Sequence, residues 1–202
     1  MQYYHNLITE KSWQELQSLK GLVDFVLIGG WAVYLYSRAL KSKDIDIIVD
    51  FDQLPILGKN YNLQKNERLN KYEARKGEIE IDIYLPHFSK IGIPVERLLK
   101  ATKQVDGFVV VDPNYLLALK IYTLNQRGRS AKGRKDFLDI ISLISSKQID
   151  LLQTKKVLQE FKMEQELKVF TEFLKESSQV EELGLNAHNF SRLKKEIVAG
   201  LK

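Results

Sequence analysis

Two short stretches in which isoleucine alternates with acids constrain this chain more than any other feature. Asp44 to Phe51 reads DIDIIVDF, and Glu78 to Leu85 reads EIEIDIYL. Alternate residues of a strand share a face, so the isoleucines predict a core-facing side and the acids a common opposite side. Asp44 and Asp46 are therefore neighbours, with Ile45 and Ile47 turned into a core. On the second strand Glu78, Glu80 and Asp82 share one face, and Ile79, Ile81 and Ile83 the other. Tyr72 to Leu85 as a whole reads as a hairpin turning at Lys76-Gly77.

The remaining first half alternates helix and strand signals. Residues 11–20 carry Trp13, Leu16 and Leu19 at helical spacing. Leu22 to Ile28 is an apolar run that predicts a buried strand, closed by Gly29-Gly30, with a helix from Trp31 to Ala39. Residues 94–102 predict a short helix and Gly107 to Val111 a further strand. Beyond Pro113 the pattern becomes helical throughout, over 116–125, 135–145, 151–162, 164–176 and 188–201. These signals predict an α/β (α+β) chain: a short mixed sheet with helices on one face over residues 1–112, then a helical region over 113–202.

Composition narrows the chemistry. The chain has no cysteine, which excludes disulfides, thiolate metal sites and cysteine nucleophiles, and its three histidines are too scattered to suggest zinc. The start MQYYHNLITEKSW has neither the basic opening nor the apolar core of a signal peptide, and no apolar run could span a bilayer. A soluble cytoplasmic protein is expected. Net charge is +5, with Arg127, Arg129, Lys132, Arg134 and Lys135 gathered in QRGRSAKGRK (126–135). That segment, read as a flexible loop, is a candidate contact for phosphates or nucleic acid.

Adjacent carboxylates on an apolar strand repel each other and call for a compensating partner. A divalent cation is the economical one, because magnesium is held by carboxylates and substrate phosphates. Asp82 or Glu80 could complete a three-carboxylate set, provided that the two strands lie close in one sheet. Gly29-Gly30 would let a phosphate approach the backbone where a new helix N-terminus favours negative charge. Each element also has an ordinary reading: a turn for the glycines, a solvated edge for Asp44 and Asp46, and the outer face of a hairpin for Glu78 to Asp82. Trp13, Trp31, Tyr3 and Tyr4 read as core residues rather than stacking platforms.

Taken together, Ile28-Gly29-Gly30-Trp31-Ala32-Val33, Lys43-Asp44-Ile45-Asp46-Ile47 and Ile81-Asp82-Ile83 resemble the signature of the polymerase-beta-like nucleotidyltransferase superfamily. Leu116-Leu117-Ala118-Leu119-Lys120 and Arg134-Lys135-Asp136-Phe137-Leu138-Asp139-Ile140 resemble the region that follows in its AbiEii/AbiGii toxin-like branch. The resemblance implies a nucleotidyltransferase in which Asp44, Asp46 and Asp82 are catalytic and bind magnesium or manganese. It implies NTP contacts by Gly29, Gly30, Ser42 and Lys43, and by Lys120 and Lys135, with Asp136 holding one of these lysines in place. Where relatives carry an arginine four residues before the first aspartate, this chain has Leu40, so Arg38 or Lys41 would substitute. The acceptor could be an RNA 3′ end, a protein hydroxyl or a small molecule such as an antibiotic; the resemblance to the toxin-like branch favours RNA or protein, with an antitoxin as a further partner. The alternative is a non-catalytic protein that keeps this fold and binds nucleic acid or a partner through its basic segment.

Overall fold

The computed structural model describes the backbone of residues 2–201 and the side chains of residues 7–201, so Tyr3 and Tyr4 lie outside the described side chains. The chain divides into two compact units, Met1–Asp112 and Pro113–Lys202.

The first unit is built on a seven-stranded mixed sheet. Its elements are α1 (Gln2–Leu19), β1 (Val26–Ile28), α2 (Gly29–Ser37), β2 (Ile45–Ile48), α3 (Leu54–Asn60), β3 (Asn62–Asn66), β4 (Lys71–Lys76), β5 (Ile79–Tyr84), α4 (Val95–Lys100), β6 (Thr102–Val105) and β7 (Phe108–Val111). The strand order is β3-β4-β5-β2-β1-β7-β6. Parallel pairings join β2 to β5 and β1 to β7, and the other neighbours run antiparallel. The alternation in β5 emerges as written in the sequence, with Ile79, Ile81 and Ile83 buried and Glu80 exposed. Trp31 is fully buried and its indole N–H donates to Ser12 Oγ at 2.9 Å. Trp13 lies 5.0 Å from it, ring to ring, and 5.8 Å from Phe108, which ties α1 and α2 to the sheet core. The aromatic residues here are packing elements, and fully burying one such side chain contributes about 1.5–3 kcal/mol.

The structure departs from the sequence-based expectations at several points. The strand expected over 22–28 shortens to Val26–Ile28, and the glycines form the first turn of α2 instead of a loop before it. The sheet is larger than expected because β3 and β6 are strands as well. Their sequences, NLQKN and TKQV, are polar and mostly exposed, as suits the two edges of the sheet. Only pairing with β4 and β7 defines them as strands. Asp106 and Gly107 both take positive φ in the two-residue turn between β6 and β7, so the Asp-Gly dipeptide was the available hairpin signal.

The second unit is helical: α5 (Pro113–Arg127), α6 (Ala131–Ser145), α7 (Leu151–Glu160), α8 (Glu164–Glu176) and α9 (Ala187–Leu201). The segment expected to be a flexible basic loop is instead a tight helical hairpin. Ser130 caps α6 by accepting from the Gly133 N–H at 3.1 Å, and Gly128 turns the chain with φ +52°. A β-carbon at Gly133 would stand 1.8 Å from the Gly128 carbonyl oxygen, so glycine is what lets the two helices close. Phe137 packs on Phe170 and Phe173, joining α6 to α8. Asp150 caps α7 through the N–H groups of Leu152 and Gln153. Among the described residues no helix is long and apolar enough to cross a membrane.

Candidate functional site

The pairing of β2 with β5 sets Asp46 directly beside Asp82, and the pairing of β5 with β4 sets Asp82 beside Glu73. Residues paired across neighbouring strands share a face, so Asp46, Asp82 and Glu73 form a row across three strands. The isoleucines of β2 and β5 hold this row in place from below, since Ile45, Ile47, Ile81 and Ile83 are all fully buried. A register slip of one residue would turn these isoleucines to solvent and the acids into the core. Asp44 stands just ahead of β2 and is exposed. It is near enough for its charge to act on Asp82.

The glycine pair meets this row. Gly29 has φ +67°, and a β-carbon there would stand 2.0 Å from Asp46 Oδ2. Only a residue without a side chain allows the Asp46 carboxylate to lie against the first turn of α2. No side chain caps that turn, and the first N–H groups of a helix have no intrahelical partner and favour negative charge. Gly30, directly behind, is buried.

The row's strongest internal contact is one that the sequence reading missed. Lys71, on β4, places Nζ 2.6 Å from Asp82 Oδ1 and 3.2 Å from Glu73 Oε1, with its side chain only 12% exposed. Burial opposes the charge on Lys71, but its hydrogen bonds and attraction to Asp82 and Glu73 prevail and hold its pKa above the ordinary lysine value. Asp82 is pushed upward, first by burial and then by the charges of Glu73 and Asp44, with Lys71 pulling the other way. Glu73 is held below the ordinary range, chiefly by a hydrogen bond from Asn66 at 2.8 Å and by Lys71. The alternation Lys71, Glu73, Arg75 was visible in the sequence. Its meaning was not, because it depends on which residues of β5 it faces.

Of the two acids open for the third position, Asp82 is the one beside Asp46, while Glu80 is exposed and paired with Arg75 at 3.1 Å. Glu78 falls in the turn before β5 and pairs with Lys11 at 2.8 Å. The donors are carboxylates without histidine or cysteine, which suits a hard divalent cation. Among the described residues no group of three acids or histidines converges as a ready metal cage. Asp44 and Asp46 lie two residues apart where the chain enters β2, Asp44 exposed and Asp46 half-buried.

The other expected contacts fall in both units. Ser42 is buried and Lys43 half-buried in the segment entering β2. Arg38 ion-pairs with Asp106, and Lys41 reaches Glu10 at 3.4 Å. In the second unit Lys120 is buried on α5, with Nζ 2.7 Å from Asp139 and 3.2 Å from Asp136. Asp136 thus holds Lys120, and it also accepts from Arg127 at 2.8 Å. Lys135 lies half-buried on α6. Arg129 pairs with Glu176 and Arg134 with Glu182, so much of the basic segment is neutralised within its own unit.

No protein-family model and no curated protein sequence matches the chain. Solved structures do. A Helicobacter pylori protein named as a nucleotidyltransferase aligns over 95% of both chains at 12% identity and a TM-score of 0.52. The antibiotic-resistance factor ANT(2″)-Ia aligns over 83% of this chain and 99% of that one, at 12% identity and a TM-score of 0.50. A weaker likeness, with a TM-score of 0.48 and 12% identity, is to the Megavirus polyadenylate synthase, of which this chain spans 37%. The mixed sheet flanked by helices is the nucleotidyltransferase fold.

Proposed function

We propose that this chain is a divalent-cation-dependent nucleotidyltransferase, with Asp44, Asp46 and Asp82 as its working carboxylates. The observation that carries this reading is the placement of Asp46 beside Asp82 in register, with Gly29 opened to receive the Asp46 carboxylate. An acceptor hydroxyl oxygen forms a bond to the α-phosphorus of an NTP, the bond from that phosphorus to the bridging oxygen breaks, and pyrophosphate leaves. Asp44 and Asp46 hold magnesium or manganese, and Asp82 joins them as third acid. The ion, when bound, neutralises the phosphates and makes the acceptor hydroxyl more acidic. Asp82, whose proton affinity is raised by burial and by its acidic neighbours, takes the hydroxyl proton. Gly29 and Gly30 bring the triphosphate to the open end of α2, with Ser42 and Lys43 on the approach to β2. Lys120 has its ammonium committed to Asp136 and Asp139, so its part is to hold α5 to α6. The resemblance to the toxin-like branch supports an RNA 3′ end or a protein as acceptor, with an antitoxin as partner.

The experiment is transfer of label from each of the four α-labelled NTPs, with magnesium, to total RNA and total protein of a lysate. Label is expected on one class of macromolecule and lost in Asp46→Asn. Absence of transfer from a folded protein with every nucleotide overturns the reading for macromolecular acceptors.

A further inference from the structure

The acid row contains a cation of its own. Lys71 is nearly buried, lies between Asp82 and Glu73, and touches both. Glu73 is further held by Asn66 and reached by Arg75 at 3.8 Å, Arg75 lies closer to Glu80 at 3.1 Å, and Lys71 directly faces Asp82. A buried ammonium bound by two carboxylates is costly to release, because its removal leaves both acids desolvated and uncompensated. A divalent ion at Asp82 competes with that ammonium for the same oxygens, and two positive charges a few ångströms apart repel strongly at a partly buried site. We propose that Lys71 is the resident counter-cation of the third carboxylate and holds down the affinity of the acid row for a divalent ion. Lys71 is thus a positioning residue that sets when the ion enters: weakly to the protein alone, and more firmly once triphosphate oxygens add ligands and negative charge. This deepens the proposed function and rests on its assignment of Asp44, Asp46 and Asp82 to a cation.

The test is titration of the protein with Mn²⁺, without nucleotide, followed by electron paramagnetic resonance. Wild type, Lys71→Met, Lys71→Gln, Lys71→Arg and Lys71→Met/Asp82→Asn are compared. Both neutral variants are expected to bind Mn²⁺ at least about tenfold more tightly, as follows from removing one charge a few ångströms away. Lys71→Arg retains the weak binding of wild type, and the double variant loses the gain. Thermal melts keep the result interpretable: the neutral variants melt lower than wild type in EDTA and are raised more than it by Mn²⁺. Unchanged or weaker Mn²⁺ binding by both neutral variants, or a gain in Lys71→Arg as well, overturns the role of Lys71 and leaves the transferase reading standing. If no variant binds Mn²⁺, with or without ATP, the cation site itself fails and the proposed function with it.

Discussion

In the first unit Asp82 meets Lys71, and in the second Asp136 and Asp139 meet Lys120. Lys71 is shared between Asp82 and Glu73, Arg75 also reaches Glu73 at 3.8 Å, Asp46 stands beside Asp82 in register, and the charge of Asp44 is felt there. Asp82 and Glu73 keep 24% and 22% of their side-chain surface exposed. In the second cluster two carboxylates face Lys120 and Arg127, and Asp136 and Asp139 are each 1% exposed. One cluster is partly open to solvent; the other is sealed. Buried charges survive folding when they are paired, whereas surplus charge at an accessible place is what a ligand can complete. Under the proposed function the same residue types would serve chemistry in one unit and cohesion in the other.

Substitutions can break this contrast. The largest effect is expected at Asp46 and Asp44. Asparagine at either position should lower nucleotide transfer more than a hundredfold, since even groups behind a metal ligand matter by about 10–100-fold. With asparagine at position 44 the melting temperature should not fall, because one charge repelling Asp82 is removed. Transfer that survives both substitutions would leave the open cluster without a task. Lys120→Met should do the opposite, costing about 3–5 kcal/mol in denaturant unfolding, because buried Asp139 loses its cation. A loss below about 1 kcal/mol would mean that the sealed cluster is not cohesive.

Gly29→Ala sharpens the contrast within the first unit. Left-handed backbone strain costs about 1–3 kcal/mol, and the new methyl group would also overlap Asp46. Gly77→Ala, at φ +59° with no atom within 4 Å of the new methyl group, carries the backbone part alone. The alanine at position 29 should therefore lower both stability and transfer, and that at 77 stability only. Equal transfer rates in the two variants would sever the link between the glycine and the aspartate.

The smallest effect belongs to Arg134 and Glu182, both largely exposed. Glu182 is held below the ordinary carboxylate range, first by its own backbone N–H and then, against slight burial, by Arg134. A lowered carboxylate pKa stabilises the fold above the unfolded value and stops doing so as pH falls through the folded one. Arg134→Gln should cost a few tenths of a kcal/mol at about pH 7, and the gap to wild type should close as Glu182 protonates. A gap that persists in acid would mean that Arg134 stabilises by packing on Phe137, 5.5 Å from its ring centroid, rather than by charge.

The period-two runs in β2 and β5 and the helical spacing beyond Pro113 were legible because they record which residues meet the core, a property of each segment alone. The edge strands β3 and β6 were not, because polar strands are defined by the neighbour that takes their hydrogen bonds. Asp44, Asp46 and Asp82 could be nominated from residue type and spacing. The facing of Asp82 by Lys71, and of Asp46 by Gly29, could not, since both depend on strand pairings between segments distant in sequence. Likewise the basic segment read as available charge until the fold brought Glu176 and Glu182 to it. The sequence by itself determined which faces of its strands and helices are buried and which residue types lie opposite them, since side-chain type and local period suffice for both. Tertiary structure decided which charges are already neutralised, because electrostatic partners are chosen by proximity in space.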